Sequence, residues 1–115
     1  MKLIQLKDKK KVAIKTNNNI KIIDLDEILF IEGMNTYSKL VIAYKKSSIV
    51  SLNLKSLENL LLPLNFVRCH KRYLVNLTHI SEICNKTGCI LELDSTHKLP
   101  ASREGLKRVK KALGI

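Results

Sequence analysis

A mainly β fold with two short helices (α+β) is what this sequence predicts, and three observations predict it. Short runs rich in Ile, Val and Leu recur along the chain, bounded by Asn, Gly, Lys or Ser residues suited to turns. Only two segments carry their apolar residues at helical spacing. Aromatic residues are 4% of the total and tryptophan is absent, so the core must be built from aliphatic side chains. The 115 residues suffice for one domain with one core, spanning 1–115.

The elements follow in order. Residues 10–16 and 20–25 read as strands joined by Asn17, Asn18 and Asn19, because asparagine tolerates the left-handed backbone of tight turns. Asp24 to Glu27 reads as a turn or helical cap. Residues 28–31 form a buried strand stopped at Glu32 and Gly33, 34–37 a loop, and 39–44 the next strand. Lys45, Lys46 and Ser47 turn the chain into a strand over 48–52. Asn53 caps a helix through residue 62, with Leu54, Leu57, Leu60, Leu61 and Leu64 as its apolar stripe and Pro63 as its stop. Strands follow at 66–70, 73–75, 80–84, 89–93 and 97–99, with hairpin loops at 85–88 and 94–96. Ser102 caps the last helix, which buries Leu106, Val109 and Leu113 and gives the rest of its surface to Lys107, Arg108, Lys110 and Lys111.

Charge narrows the choice of partner. The net charge is +11, and it is unevenly spread. Residues 1–15 hold six lysines against Asp8, residues 16–67 are neutral, and ten Lys or Arg follow from Arg68 onward against four carboxylates. Such an excess favours nucleic acid or an anionic surface as partner. No run approaches the roughly 20 apolar residues that span a bilayer, so no membrane insertion is expected. The basic start leads into Asp8 and further lysines, not an apolar leader segment. A cytoplasmic protein is expected, with Cys69, Cys84 and Cys89 as reduced thiols.

Catalytic readings find little support. The four glycines are scattered and form no phosphate loop, and no nucleophile sits in a recognisable elbow. Glu32 and the group Asp24, Asp26 and Glu27 read as turn caps or counter-charges to nearby lysines. Cys69, His70, His79, Cys84, Cys89 and His97 include zinc-ligand types, but their spacing lacks paired CxxC knuckles. No cofactor, metal or catalytic residue is assigned.

The most informative stretch is Phe66 to Asn76, reading FVRCHKRYLVN. Val67 and Cys69, then Tyr73 to Val75, can anchor strands, leaving His70, Lys71 and Arg72 outward where one strand passes to the next. Two other segments combine hydrogen-bonding groups with cations: Asn35 to Lys39, and Ser102 with Arg103 at a helix start. An arginine at a helix N-terminus opposes the helix dipole, unless it accompanies a phosphate that the free backbone N–H groups also attract.

These residues resemble a known family, the LytTR-type DNA-binding domain of bacterial transcription regulators, over about residues 10–113. Phe66 to Asn76 is similar to its F-x-R-x-H-x-S-x-x-V-N pattern. Asp26 to Glu32 resembles D-I-x-x-I-E. Ser51-Leu52 with Leu57-Glu58 resembles S-L-x-x-L-E with two extra residues between the parts, and Pro100 to Arg103 resembles P-x-S-R. The resemblance implies an elongated, many-stranded fold that reads double-stranded DNA with loops in successive major grooves, at tandem half-sites that a second copy can share. It places Tyr37, Ser38 and Lys39 near one groove, His70 and Lys71 at the middle contact, and Arg103 opposite a guanine. Arg72, Ser102 and Lys107 become phosphate contacts. Two positions depart from the pattern: Arg72 stands for the usual Ser, and Ser38 for a charged or imidazole side chain. The chain also lacks the receiver domain that usually precedes this one. If Met1 is the native start, control passes to abundance, oligomerisation or a regulatory partner protein.

Two other classes fit the charge. An RNA-binding module would need exposed aromatics for stacking, and only Tyr37, Tyr44 and Tyr73 are available beside two core-type phenylalanines. A basic protein-interaction module would bind an acidic partner and have no specific DNA site.

Overall fold

Strands that are apolar on both faces must lie between two covering layers. Ile28, Leu29, Phe30 and Ile31 are all buried, and so are Phe66, Val67, Leu74 and Val75. In the computed structural model these runs form the middle of the molecule. The structure describes residues 1–15, 18–84, 88–94 and 96–115. The central five-stranded sheet runs β6-β5-β4-β8-β7, built from β4 (Ile28–Met34), β5 (Tyr37–Ile42), β6 (Ser48–Val50), β7 (Phe66–His70) and β8 (Tyr73–Asn76).

One face is covered by an N-terminal sheet of β1 (Lys2–Leu6), β2 (Lys9–Lys15) and β3 (Ile20–Asp24), together with α1 (Leu54–Leu61). Val12, Ile14 and Ile23 pack there with Leu54, Leu57 and Leu61 over Ile28, Ile31, Leu40 and Leu74. The opposite face is covered by β9 (Ile80–Cys84), β10 (Cys89–Leu93), β11 (His97–Ala101) and α2 (Arg103–Leu113). Leu91, Leu93, Leu99 and Val109 meet Leu29, Phe30, Val67, Cys69 and Val75. The three layers give an elongated body of 46 × 32 × 25 Å.

Capping follows the residues expected to cap. The Asn53 side chain accepts from Ser56 N–H at 2.8 Å, and Asp24 caps the 3₁₀ turn Leu25–Glu27 through Asp26 N–H. Asn76, the last residue of the central motif, is buried and structural. Its Nδ2 donates to the Ile28 carbonyl at 2.9 Å, and its Oδ1 accepts from Thr78 N–H.

Several boundaries differ from the sequence reading. β4 continues through Glu32 and Gly33 to Met34, so the expected 34–37 loop shrinks to Asn35 and Thr36, with Met34 paired to Tyr37. Asn35 absorbs the turn with φ 62°, which asparagine tolerates. β1 was not foreseen, because Lys2 and Gln5 break its apolar run; β2 pairs with it residue for residue. β11 extends past Pro100, which an edge strand accepts. On α2, Gly105 takes the buried place expected of Leu113, which is 39% exposed. The turn at Asn17 to Asn19 and the hairpin loops at 85–88 and 94–96 fall partly outside the described residues. No helix among the described residues is long and apolar enough to cross a membrane.

Candidate nucleic-acid interface

The β4–β5 and β7–β8 hairpins end side by side because β4 and β8 are neighbours in the sheet. Gly33 N–H donates to the Arg72 carbonyl at 2.7 Å, joining the end of β4 to the Lys71–Arg72 turn. On the other side, Ser102 N–H donates to the Cys69 carbonyl at 2.9 Å, which brings the start of α2 against β7 beside His70. All three segments singled out in the sequence therefore meet at one end of the central sheet.

Arg68 builds the central turn. Its Nε donates to the His70 carbonyl at 3.0 Å and its Nη2 to the Lys71 carbonyl, while Nη1 donates to Glu58 Oε1 of α1 at 2.8 Å. The guanidinium is half-buried and fastens the turn to α1, a use that needs the planar fork of arginine. Arg72 is held more loosely, with Nη2 donating to Glu32 Oε2 at 3.0 Å and its side chain 55% exposed.

His70 is tuned by this setting. Arg72 N–H donates to His70 Nδ1 at 3.2 Å, so the remaining ring proton sits on Nε2. Burial, then Lys71, Arg72 and Arg68, lower its pKa below the ordinary imidazole value. His70 thus stands in the free protein as a neutral donor among cations.

The start of α2 depends on Gly105. A β-carbon there would lie 1.8 Å from the Cys69 carbonyl oxygen, so only glycine permits this approach of helix to strand. Ser102 Oγ accepts from Gly105 N–H at 2.9 Å and retains its own hydroxyl proton for donation. Arg108 lies about 60° from Gly105 around the helix, whereas Arg103 and Lys107 lie about 160° away. Arg108 Nε accordingly donates to the Arg68 carbonyl at 2.9 Å, and its side chain lines a groove with His70, Lys71 and Ser102. Arg103 is exposed at the helix start, and Lys107 is exposed and 3.8 Å from Glu104. A second groove, shared by Arg68, Lys71 and Arg72, adds Asn35 and Lys55 to the same surface.

One expected site residue moves inward. Ser38 is fully buried and its hydroxyl donates to the Leu52 carbonyl at 2.7 Å, so its side chain has no surface to offer a ligand. The reason is strand parity: Ser38 shares the core-facing side of β5 with Leu40 and Ile42. Tyr37, 51% exposed, and the half-buried Lys39 face the other way. The sequence showed Arg108 only as part of the exposed surface of the last helix, and Lys55 falls at an unspecified position within the Ser51 to Glu58 motif.

The thiols and imidazoles are dispersed. Cys69 is buried in the core, and burial pushes its thiol up to about 12. Cys84 is exposed on β9. His79 Nδ1 lies 2.6 Å from Asp94 Oδ2, and the His97 ring meets the Phe30 ring edge-on.

Known proteins share the fold and the sequence pattern of this chain. The LytTr DNA-binding domain family matches residues 18–114. A response regulatory protein of Vibrio cholerae is 36% identical over 104 residues, covering 85% of this chain and 40% of that protein. The transcriptional regulatory protein BtsR of Escherichia coli K12 is 31% identical over 101 residues, covering 86% and 41%. The chain thus spans about 40% of the length of these relatives. Among solved structures, the LytTr DNA-binding domain of a methyl-accepting/DNA response regulator from Bacillus cereus superposes with a TM-score of 0.77. That likeness covers 91% of this chain and 97% of the other at 24% identity.

Proposed function

The chain belongs to the LytTr DNA-binding domain family, and on that premise we propose that it is a sequence-specific, double-stranded DNA-binding transcription regulator. It works in the bacterial cytoplasm, by binding rather than by catalysis. The observation that carries this reading is the meeting of the β4–β5 turn, the Lys71–Arg72 turn and the start of α2 at one end. That end carries cations on a rigid base.

Each side chain takes the role its geometry allows. Arg103, exposed at the start of α2, pairs bidentately with guanine. His70 presents Nε2–H, and Lys71 its ammonium, to acceptor atoms on base edges. Tyr37 and Lys39 approach the neighbouring groove. Arg72, Ser102 and Lys107 bind phosphates, joined by Arg108 from its groove beside His70. Ser38 acts only by holding β5 to Leu52. Tandem half-sites let two copies bind one face of the duplex, and a regulatory partner protein is a further means of control.

Competition of duplex DNA against RNA of the same sequence tests the class of ligand. Duplex DNA is expected to win by at least tenfold. Preference for single-stranded RNA would contradict the reading, and the few exposed aromatics of this surface argue against it.

A further inference from the structure

Residues 1–17 lie outside the family match, yet they supply two of the three strands of the N-terminal sheet. Strand alternation turns Val12, Ile14 and Ile23 to the core and Lys2, Lys9, Lys11 and Lys15 outward. The same outer face carries Ile20 and Ile22 of β3, 66% and 51% exposed, and Leu6 of β1, 52% exposed. Ile20 and Ile22 neighbour each other along the β3 edge, with Leu6 apart from them opposite Lys9, and adjacent exposed aliphatic groups on a sheet edge mark an interaction surface. Asp24 lies on this face, 4.0 Å from Lys11. Among the described strands, β3 pairs with β2 alone, so its outer edge is open.

We propose that this sheet docks an acidic, extended polypeptide segment of another protein, added as a strand along β3. The partner's backbone pairs with the open edge, its aliphatic side chains flank Ile20 and Ile22 on the outer face, and its carboxylates, turned to the opposite face by strand alternation, meet the exposed Lys21. Charge complementarity selects this occupant. A second copy would bring together two N-terminal sheets that each carry an excess of lysine over carboxylate. A nucleic acid would satisfy the lysines and leave Ile20, Ile22 and Leu6 in water. An anionic bilayer would take the aliphatic groups and leave the edge N–H and C=O groups without partners. None of Ile20, Lys21 and Ile22 is among the proposed DNA contacts, so either reading can fail without the other.

The test is titration of the whole ¹⁵N-labelled chain with four probes. These are a synthetic peptide alternating valine and glutamate, its serine-for-glutamate counterpart, a random-sequence duplex, and phosphatidylglycerol vesicles. The glutamate peptide is expected to shift the amides of β3 and β2, protect β3 amides from exchange, and bind about tenfold tighter than the serine peptide. Lys21→Glu should abolish that preference, and Ile22→Thr should weaken binding about fivefold, each with an unchanged melting temperature and unchanged DNA affinity. Equal binding of the two peptides would overturn the proposal. So would larger β3 shifts with the duplex or with vesicles, each of which would assign the face to that other ligand. If Ile22→Thr alters the fold, Lys21→Glu, a change at an exposed position, decides by itself.

Discussion

Arg103 and His70 carry the sharpest predictions at the scale of single residues. Arg103→Ala is expected to cost about 1–3 kcal/mol on the specific site and to relax one base position. Equal losses on specific and random duplexes would remove it from the base-reading set. For His70 the sign runs through proton uptake. Its lowered pKa leaves the ring neutral in the free protein, and nearby phosphates would favour the charged form. Binding then takes up a proton, and affinity rises as pH falls between the bound and the free values, by up to about tenfold per pH unit. His70→Gln should flatten this slope; an unchanged slope would place the titration elsewhere. Cys69, with its thiol pushed up to about 12, should stay inert to alkylation while exposed Cys84 reacts. The sequence showed which cations cluster, and it could not show that Ser38 points inward, because that depends on where the β5 register falls. The alternation of Ser38 with Leu40 and Ile42 was the available signal.

At the scale of elements, the interface is a matter of two clamps. Arg68 fastens the turn of β7 and β8 to α1, and Gly105 lets α2 seat against β7. Gly105→Ala puts a methyl group into the Cys69 backbone and should destabilise the fold by about 1–3 kcal/mol or more, with a loss of DNA affinity as α2 lifts. A variant that melts and binds normally would show that the helix has room. Arg68→Lys keeps the charge and loses the fork, and should weaken DNA binding about as much as Arg68→Ala. Full affinity in the lysine variant would make Arg68 a simple phosphate contact. Helix caps at Asn53 and Ser102, and the strands at 66–70, 80–84 and 89–93, were legible because each rests on local chemistry. β1, the length of β4 and the place of Gly105 were not. β1 and the end of β4 are set by pairing across tight hairpin turns with β2 and β5, where polar residues interrupt their apolar runs, and Gly105 is set by β7, distant in sequence, with no side chain to announce its burial.

For the whole molecule, the central claim is that a basic end built by three loops reads duplex sequence. The neutral middle of the chain forms much of the inner sheet, while Arg68, Lys71, Arg72 and Arg108 of the second half gather near its loop end. Net charge alone supplies sequence-independent attraction, which falls steeply with salt. Arg72→Ala should weaken all duplexes alike and reduce the slope of log affinity against log salt by about one. Specificity must be measured apart from that attraction. The most direct measurement selects bound sequences from random duplexes and compares the selected duplex with its scrambled counterpart at physiological salt. A ratio of about 10³ or more is predicted. A ratio near one, with no common sequence recovered, would contradict the account.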